Sequence, residues 1–175
     1  MPIAFYRGMS DGDVRAIVAY LRAVKPISNK VEKSTYKIPL PPSYGPAVTD
    51  IAEVPRGDKL AYGHYLASGL GHCLDCHTPL LPTGQNDMGR LGAGGNDLPG
   101  PGSTVVTSSN LTPGNPKGIA GWSDDQVKAA IRTGRRPDGN PLVGPMAFGW
   151  YQNIGDADLD ALVAYLRTLK PVKAD

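Results

Sequence analysis

The sequence predicts an all-α fold with long irregular loops, preceded by one extra helix and a Pro-rich linker, and three observations predict it. Apolar residues recur at helical spacing between capping and stop signals. The stretch that follows His77 is rich in Gly and Pro and shows no strand-like alternation. The 22 Gly and 17 Pro, set against 7% aromatic residues, describe a loop-rich chain whose modest side-chain core needs something more to complete it. At 175 residues there is room for one ordinary domain and a smaller appendage.

Residues 1–26 and 146–171 are two copies of one unit. Met1 through Tyr6, Asp11, Asp13, Ala16, Val18, Ala19, Tyr20, Leu21, Arg22, Lys25 and Pro26 run in register with Met146 through Tyr151, Asp156, Asp158, Ala161, Val163, Ala164, Tyr165, Leu166, Arg167, Lys170 and Pro171. The spacing is a constant 145 residues without a gap. Each copy predicts an amphipathic helix, with Val14, Ile17, Val18 and Leu21 on one apolar stripe and Leu159, Leu162, Val163 and Leu166 on the other. Asp residues open each helix and Lys-Pro stops it. The first copy has no Cys-x-x-Cys-His of its own. It reads as the terminal helix of a truncated preceding unit, one that packs on the main domain or on another subunit, which includes a homo-oligomer contact.

Residues 27–56 contain Pro39-Leu-Pro-Pro-Ser-Tyr-Gly-Pro46 and read as an extended linker. The main domain then spans 57–175. Asp58 caps a helix through Leu60, Tyr62, Tyr65 and Leu66 towards Gly69 or Gly71. Gly63 within it is costly unless another element crosses closely, and Ala161 or Tyr165 of the last helix are the expected neighbours. Residues 78–118 are irregular, a length that is unusual unless the segment lines a site or ligand. Ser123-Asp-Asp-Gln126 reads as a capping box opening a helix that carries Val127, Ala130 and Ile131 and ends at Gly134.

Between the first of these helices and the long loop lies Cys73-Leu74-Asp75-Cys76-His77, which contains both cysteines of the chain. Two thiols so spaced with a histidine directly after them read as covalent haem c attachment: each thiol adds across a porphyrin vinyl group, and the imidazole reaches the iron. A zinc site needs further soft ligands, and only His64 and His72 remain. A thioredoxin-like pair needs βαβ units, and a disulfide across so short a loop constrains little. One haem c would make up the deficit in the core.

The net charge of +2 is small and unclustered, which argues against a nucleic-acid partner. No stretch approaches the roughly 20 apolar residues of a membrane span, and no charged-then-apolar leader opens the chain. Haem c attachment in bacteria takes place outside the inner membrane, so an export signal is expected to have been removed or to lie upstream of Met1.

For the sixth iron ligand the candidates are Met146, Met88, His64 and His72. His72 abuts Cys73, His64 lies on the helix leading into the motif, and Met88 follows His77 closely in a Gly-rich loop. Met146 comes from a Pro-rich turn and is the preferred ligand, since histidine with thioether ligation suits an electron carrier. A haem enzyme or gas sensor with an open or labile sixth site is the alternative, yet residues 78–146 hold no histidine to serve as a distal acid or base.

Gly63-His-Tyr-Leu66, Cys73-Leu-Asp-Cys-His-Thr-Pro79, Ser109-Asn-Leu-Thr-Pro113, Gly121-Trp-Ser123, Ile131-Arg-Thr-Gly134, Pro137-Asp-Gly139 and Met146 with the helix after it together resemble class I c-type cytochromes. More narrowly, they resemble the haem domains of multi-haem cytochrome c subunits of bacterial membrane-bound alcohol, gluconate and aldehyde dehydrogenases. The resemblance covers residues 57–172. It implies a cytochrome c-like mono-haem domain in the periplasm, an electron carrier or electron-transfer subunit without catalysis of its own. Its redox partners would be a dehydrogenase subunit, a quinol-oxidising complex or a terminal oxidase. The resemblance further implies thioether links at Cys73 and Cys76, with His77 proximal and Met146 distal. It places a Pro carbonyl, from Pro79 or Pro82, behind the proximal imidazole, Asn110 and Thr112 near a propionate, and Trp122 beside the macrocycle. Arg135 or Arg136 would serve as a propionate partner or stay solvated.

Overall fold

A computed structural model describes residues 3–36 and 43–173. Met1 and Pro39 to Pro42, which entered the readings above, lie outside the described residues. The helices are α1 (Ile3–Tyr6), α2 (Asp11–Ala23), α3 (Lys59–Tyr65), α4 (Cys73–Cys76), α5 (Asp124–Thr133), α6 (Phe148–Tyr151) and α7 (Asp156–Thr168). A π-helical turn, Leu66–Leu70, joins α3 to α4, and a 3-10 turn, Met88–Arg90, interrupts the long loop. The all-α expectation needs one correction. Strands β1 (Asp97–Pro99) and β2 (Val105–Thr107) form an antiparallel hairpin with Leu98 opposite Val106. Three residues per strand with Pro99 at one end are too few to show alternation, which is why the pattern hid them.

The helix signals hold locally. The Asp58 carboxylate accepts from the Ala61 N–H at 3.0 Å. Ser123 and Gln126 exchange side-chain and backbone bonds at the start of α5, and Gly134 closes it in the left-handed region at φ 64. The main core gathers Ala67, Leu74, Ile119, Val127, Leu159, Leu162, Val163, Leu166 and Leu169. Helix α7 supplies four of these nine, more than any other element, and crosses α3 at Gly63. A Cβ at that glycine would lie 2.0 Å from the Ala161 carbonyl oxygen and 2.8 Å from Tyr165 Cβ, so the two expected neighbours are the ones found.

Arg167 ties the end of α7 to the start of α5. Its guanidinium donates to Asp124 at 3.0 Å, to the Ile119 carbonyl at 3.0 Å and to the Trp122 carbonyl. Two main-chain carbonyls in a half-buried setting lose their donor if the head group goes. Arg167→Ala should therefore cost about 2 kcal/mol in a denaturant titration, while Arg15→Ala, whose ion pair is solvent-exposed, should be near neutral.

The N-terminal segment docks only by one end. The Ser10 N–H donates to the Tyr65 hydroxyl at 3.0 Å, and that hydroxyl donates to Asp13. Phe5 packs on the main core, and Met9 is buried. The stripe of α2 does not follow: Val14, Ile17, Val18 and Leu21 stay exposed. Among the described residues, no helix is long and apolar enough to cross a membrane.

Candidate functional site

Helix α4 is a single turn that carries the attachment motif. Three-residue spacing on one turn puts the Cys73 and Cys76 thiols on one face, and both are free. His72 caps the turn in the left-handed region at φ 35 and His77 ends it. The chain arrives tightly here: a Cβ on Gly71 would stand 2.9 Å from the Leu66 carbonyl oxygen. Burial pushes the Cys73 thiol up to about 11. Burial, and after it the Asp75 carboxylate, raises Cys76 as well. Both therefore stand as protonated thiols near neutral pH.

Two asparagines hold the carbonyls that leave this turn. Asn86 Nδ2 donates to the Asp75 carbonyl at 2.8 Å, and Asn96 Nδ2 donates to those of Cys76 at 2.9 Å and Thr78 at 2.6 Å. The Gly94 N–H donates to the His77 carbonyl at 2.8 Å. Gly94 has φ +70, and a Cβ there would lie 2.5 Å from the Ser108 carbonyl oxygen, so only glycine fits between the two segments.

The imidazole of His77 is oriented from behind. Its Nδ1 lies 2.7 Å from the Ser109 carbonyl oxygen. A carbonyl can only accept, so Nδ1 carries the proton and the Nε2 lone pair is left free. Burial lowers the imidazole pKa, which keeps the ring neutral, as a metal ligand must be. This corrects the expectation that a proline carbonyl plays the part. The Pro79 carbonyl accepts from the Asp87 N–H instead, at 2.7 Å. Side-chain patterns could not reveal Ser109, because its main chain does the orienting.

The other predicted residues fall in different places. Asn110 Nδ2 donates to the Val172 carbonyl at 3.0 Å, its Oδ1 accepts from the Thr112 N–H, and Thr112 Oγ1 accepts from the Val172 N–H at 3.0 Å. Their polar atoms thus fasten the C-terminal segment to the loop that carries Ser109. Trp122 packs against the main core. Arg135 and Arg136 are exposed, and the Arg135 guanidinium donates to the Gly139 carbonyl. Met146 is half-buried, on the loop between Gly144, which lies against Val106 of β2, and α6. The other three candidate ligands are placed as follows. Met88 is 67% exposed, the His64 ring packs on Tyr165 at 5.0 Å, and the His72 ring meets Tyr6 edge-on at 5.5 Å.

One neighbour was missed. Tyr151 in α6 directs its hydroxyl towards the Gly71 carbonyl at 3.5 Å. Its phenol is pushed up to about 12, by burial first and then by Cys73, Cys76 and Tyr6 close by. The recurrence of a tyrosine at positions 6 and 151 was the available signal.

Two thiols on one turn and a buried, neutral imidazole whose unprotonated nitrogen is free fit haem c. They are the residues that a covalently attached haem would need.

The comparisons give its nearer kin. The chain is similar to the gluconate 2-dehydrogenase cytochrome c subunit of Pantoea cypripedii, 32% identical over 97% of this chain and 42% of that one. It is also similar to the cytochrome c subunit of the quinone alcohol dehydrogenase of Gluconacetobacter polyoxogenes, 29% identical over 98% of this chain and 40% of that one. A diheme cytochrome c-type protein of Cereibacter sphaeroides is 34% identical over 63% of this chain and 36% of its own. No family model matches. The chain is thus similar to cytochrome c subunits of bacterial dehydrogenases, and it spans less than half the length of these curated relatives.

Proposed function

We propose that the chain is a periplasmic one-electron relay with a single haem c, joined through Cys73 and Cys76 and ligated by His77 and Met146. Haem c supplies a metal centre that takes up and releases one electron. The residues around it do the rest. His77 presents Nε2 because the Ser109 carbonyl holds Nδ1, and such an acceptor strengthens the imidazole as a donor. Met146 would supply soft sulfur, which favours the ferrous state and raises the potential. Trp122 and the Leu74 side of the core would exclude water from the macrocycle, and Pro79, Asn110 and Thr112 would line its edge or brace the loops that do.

The single observation that supports this reading most is the Ser109–His77 hydrogen bond beside two thiols on one turn. Two of the relatives named above are subunits of dehydrogenases, so a dehydrogenase is the proposed electron donor, with a quinol-oxidising complex or terminal oxidase downstream. In the haem-loaded protein, Met146→Ala is expected to abolish the weak near-infrared band of sulfur-ligated ferric haem and to let carbon monoxide bind the ferrous form. Unchanged spectra would exclude Met146 as the ligand. Carbon monoxide binding in the unaltered protein would favour the haem enzyme or gas sensor with an open sixth site.

A further inference from the structure

We infer that a polar cleft walled by Ser109, Asn115, Lys117 and Lys173 binds a small, doubly charged oxyanion such as phosphate, and that the bound anion is linked to the iron through His77. The binding site stands on the side chains around the cleft, whereas the link to the iron rests on the haem reading above.

The cleft has a volume of about 480 Å³ and runs between the glycine turn after the 3-10 turn, the end of β2 and the C-terminal segment. Lys117 and Lys173 line it, with Arg90 on the same wall, and among the described residues no Asp or Glu does. Asp97, which accepts from the Thr107 hydroxyl at 2.8 Å, is not on the wall. Neither lysine makes an ion pair among the described residues. A cleft walled by charge of one sign concentrates ions of the other.

Both lysines are brought there by bonds to their own neighbours. The Lys117 N–H donates to Asn115 Oδ1 at 2.9 Å. Lys173 follows Val172, whose carbonyl accepts from Asn110 and whose N–H donates to Thr112, each at 3.0 Å. The clamp on the C-terminal segment thus carries a cation to the wall that Ser109 shares.

Asn115 is an independent sign of a ligand. The residue is only 6% exposed, and it lines the cleft. Its oxygen is taken by the Lys117 N–H, but its amide nitrogen has no acceptor among the described residues and is not sealed in the interior, so its two N–H groups open on the cleft. A nearly buried amide left without an acceptor is costly. The main chain cannot supply the ligand's donors, because the Gly94 N–H is spent on the His77 carbonyl and the Gly95 N–H on that of Ser108. An amide with two free N–H groups beside two ammonium groups suits an ion that accepts through several oxygens at once.

Ser109 joins the cleft to the iron ligand. It lines the one, and its carbonyl holds Nδ1 of His77 at 2.7 Å. Negative charge settled there favours the more positive, ferric state. Anion and electron therefore oppose each other, and reciprocity requires that each weaken the other's binding by one common factor. No bond is made and no proton moves.

Titration calorimetry of the haem-loaded chain with inorganic phosphate, at fixed ionic strength with chloride as the control anion, should show one saturable site. Lys117→Gln with Lys173→Gln should weaken it about tenfold or more. Asn115→Asp keeps the oxygen that accepts from Lys117 and puts a carboxylate where the donors were, so binding should vanish while helical circular dichroism stays. Lys25→Gln with Lys33→Gln removes the same charge at exposed positions far along the chain and should leave binding as it was. Reduction of the iron should weaken binding about fivefold, and phosphate should lower the midpoint potential. Equal weakening by the two double variants, or no saturable binding in the unaltered chain, would overturn the site. Equal affinity in the ferric and ferrous forms would overturn the link to the iron. A chain that carries no covalent haem would refute the function proposed above, and the same titration would then read the site alone.

Discussion

Cys73→Ser combined with Cys76→Ser is expected to yield a chain with no covalently bound tetrapyrrole, read as the bare polypeptide mass and loss of haem stain on a denaturing gel. No other thiol is present to take over the attachment. The side-chain core is small, built largely from one face of α7 and the residues under it. Without the macrocycle that core is incomplete, so helical circular dichroism should fall along with haem content. His77→Ala tests the same site from the other side: the thioethers can still form, but the oriented nitrogen is gone, and the absorption spectrum should lose its six-coordinate character. A double-serine protein that retained stoichiometric covalent haem would sink the attachment reading altogether.

Gly63→Ala should destabilise the haem-loaded protein by about 3 kcal/mol or more, because inserted atoms in a close-packed contact force the backbone apart. The new methyl would meet main-chain atoms, the Ala161 carbonyl oxygen at 2.0 Å and its carbon at 2.7 Å, which cannot rotate away. The sign is what makes the measurement decisive. In a helix free of such a neighbour the same change would stabilise by about 1 kcal/mol. Chemical denaturation that moved in the stabilising direction would show that α3 and α7 do not cross here. Gly57→Ala is the control, since a Cβ there meets nothing within 4 Å.

These two expectations draw on different depths of the sequence. The attachment motif and the crossing at Gly63 were both legible, the first from side-chain chemistry and the second from the cost of glycine within a helix. Helix caps at Asp58 and Ser123 were legible for the same reason, since a cap is a local bargain between one side chain and nearby amides. What stayed hidden was main-chain work. The carbonyl behind His77 comes from Ser109, 32 residues away, and nothing about a serine side chain announces it. The π-helical turn at Leu66–Leu70 and the short hairpin likewise arise from tertiary fit rather than pattern. The stripe on α2 was read correctly as amphipathic, but periodicity says only that a face wants cover, not where the cover comes from.

The strap that steers His77 ends far down the chain. Asn110 and Thr112 are pinned by Val172, which is 62 residues beyond the first and 60 beyond the second. During synthesis the two cysteines leave the ribosome long before Val172 does. Until Val172 has emerged, the histidine has no carbonyl braced in this way to set its tautomer. Cofactor loading before the 110–112 segment and Val172 have docked would meet an unsteered ring, whereas loading afterwards would meet one already aimed.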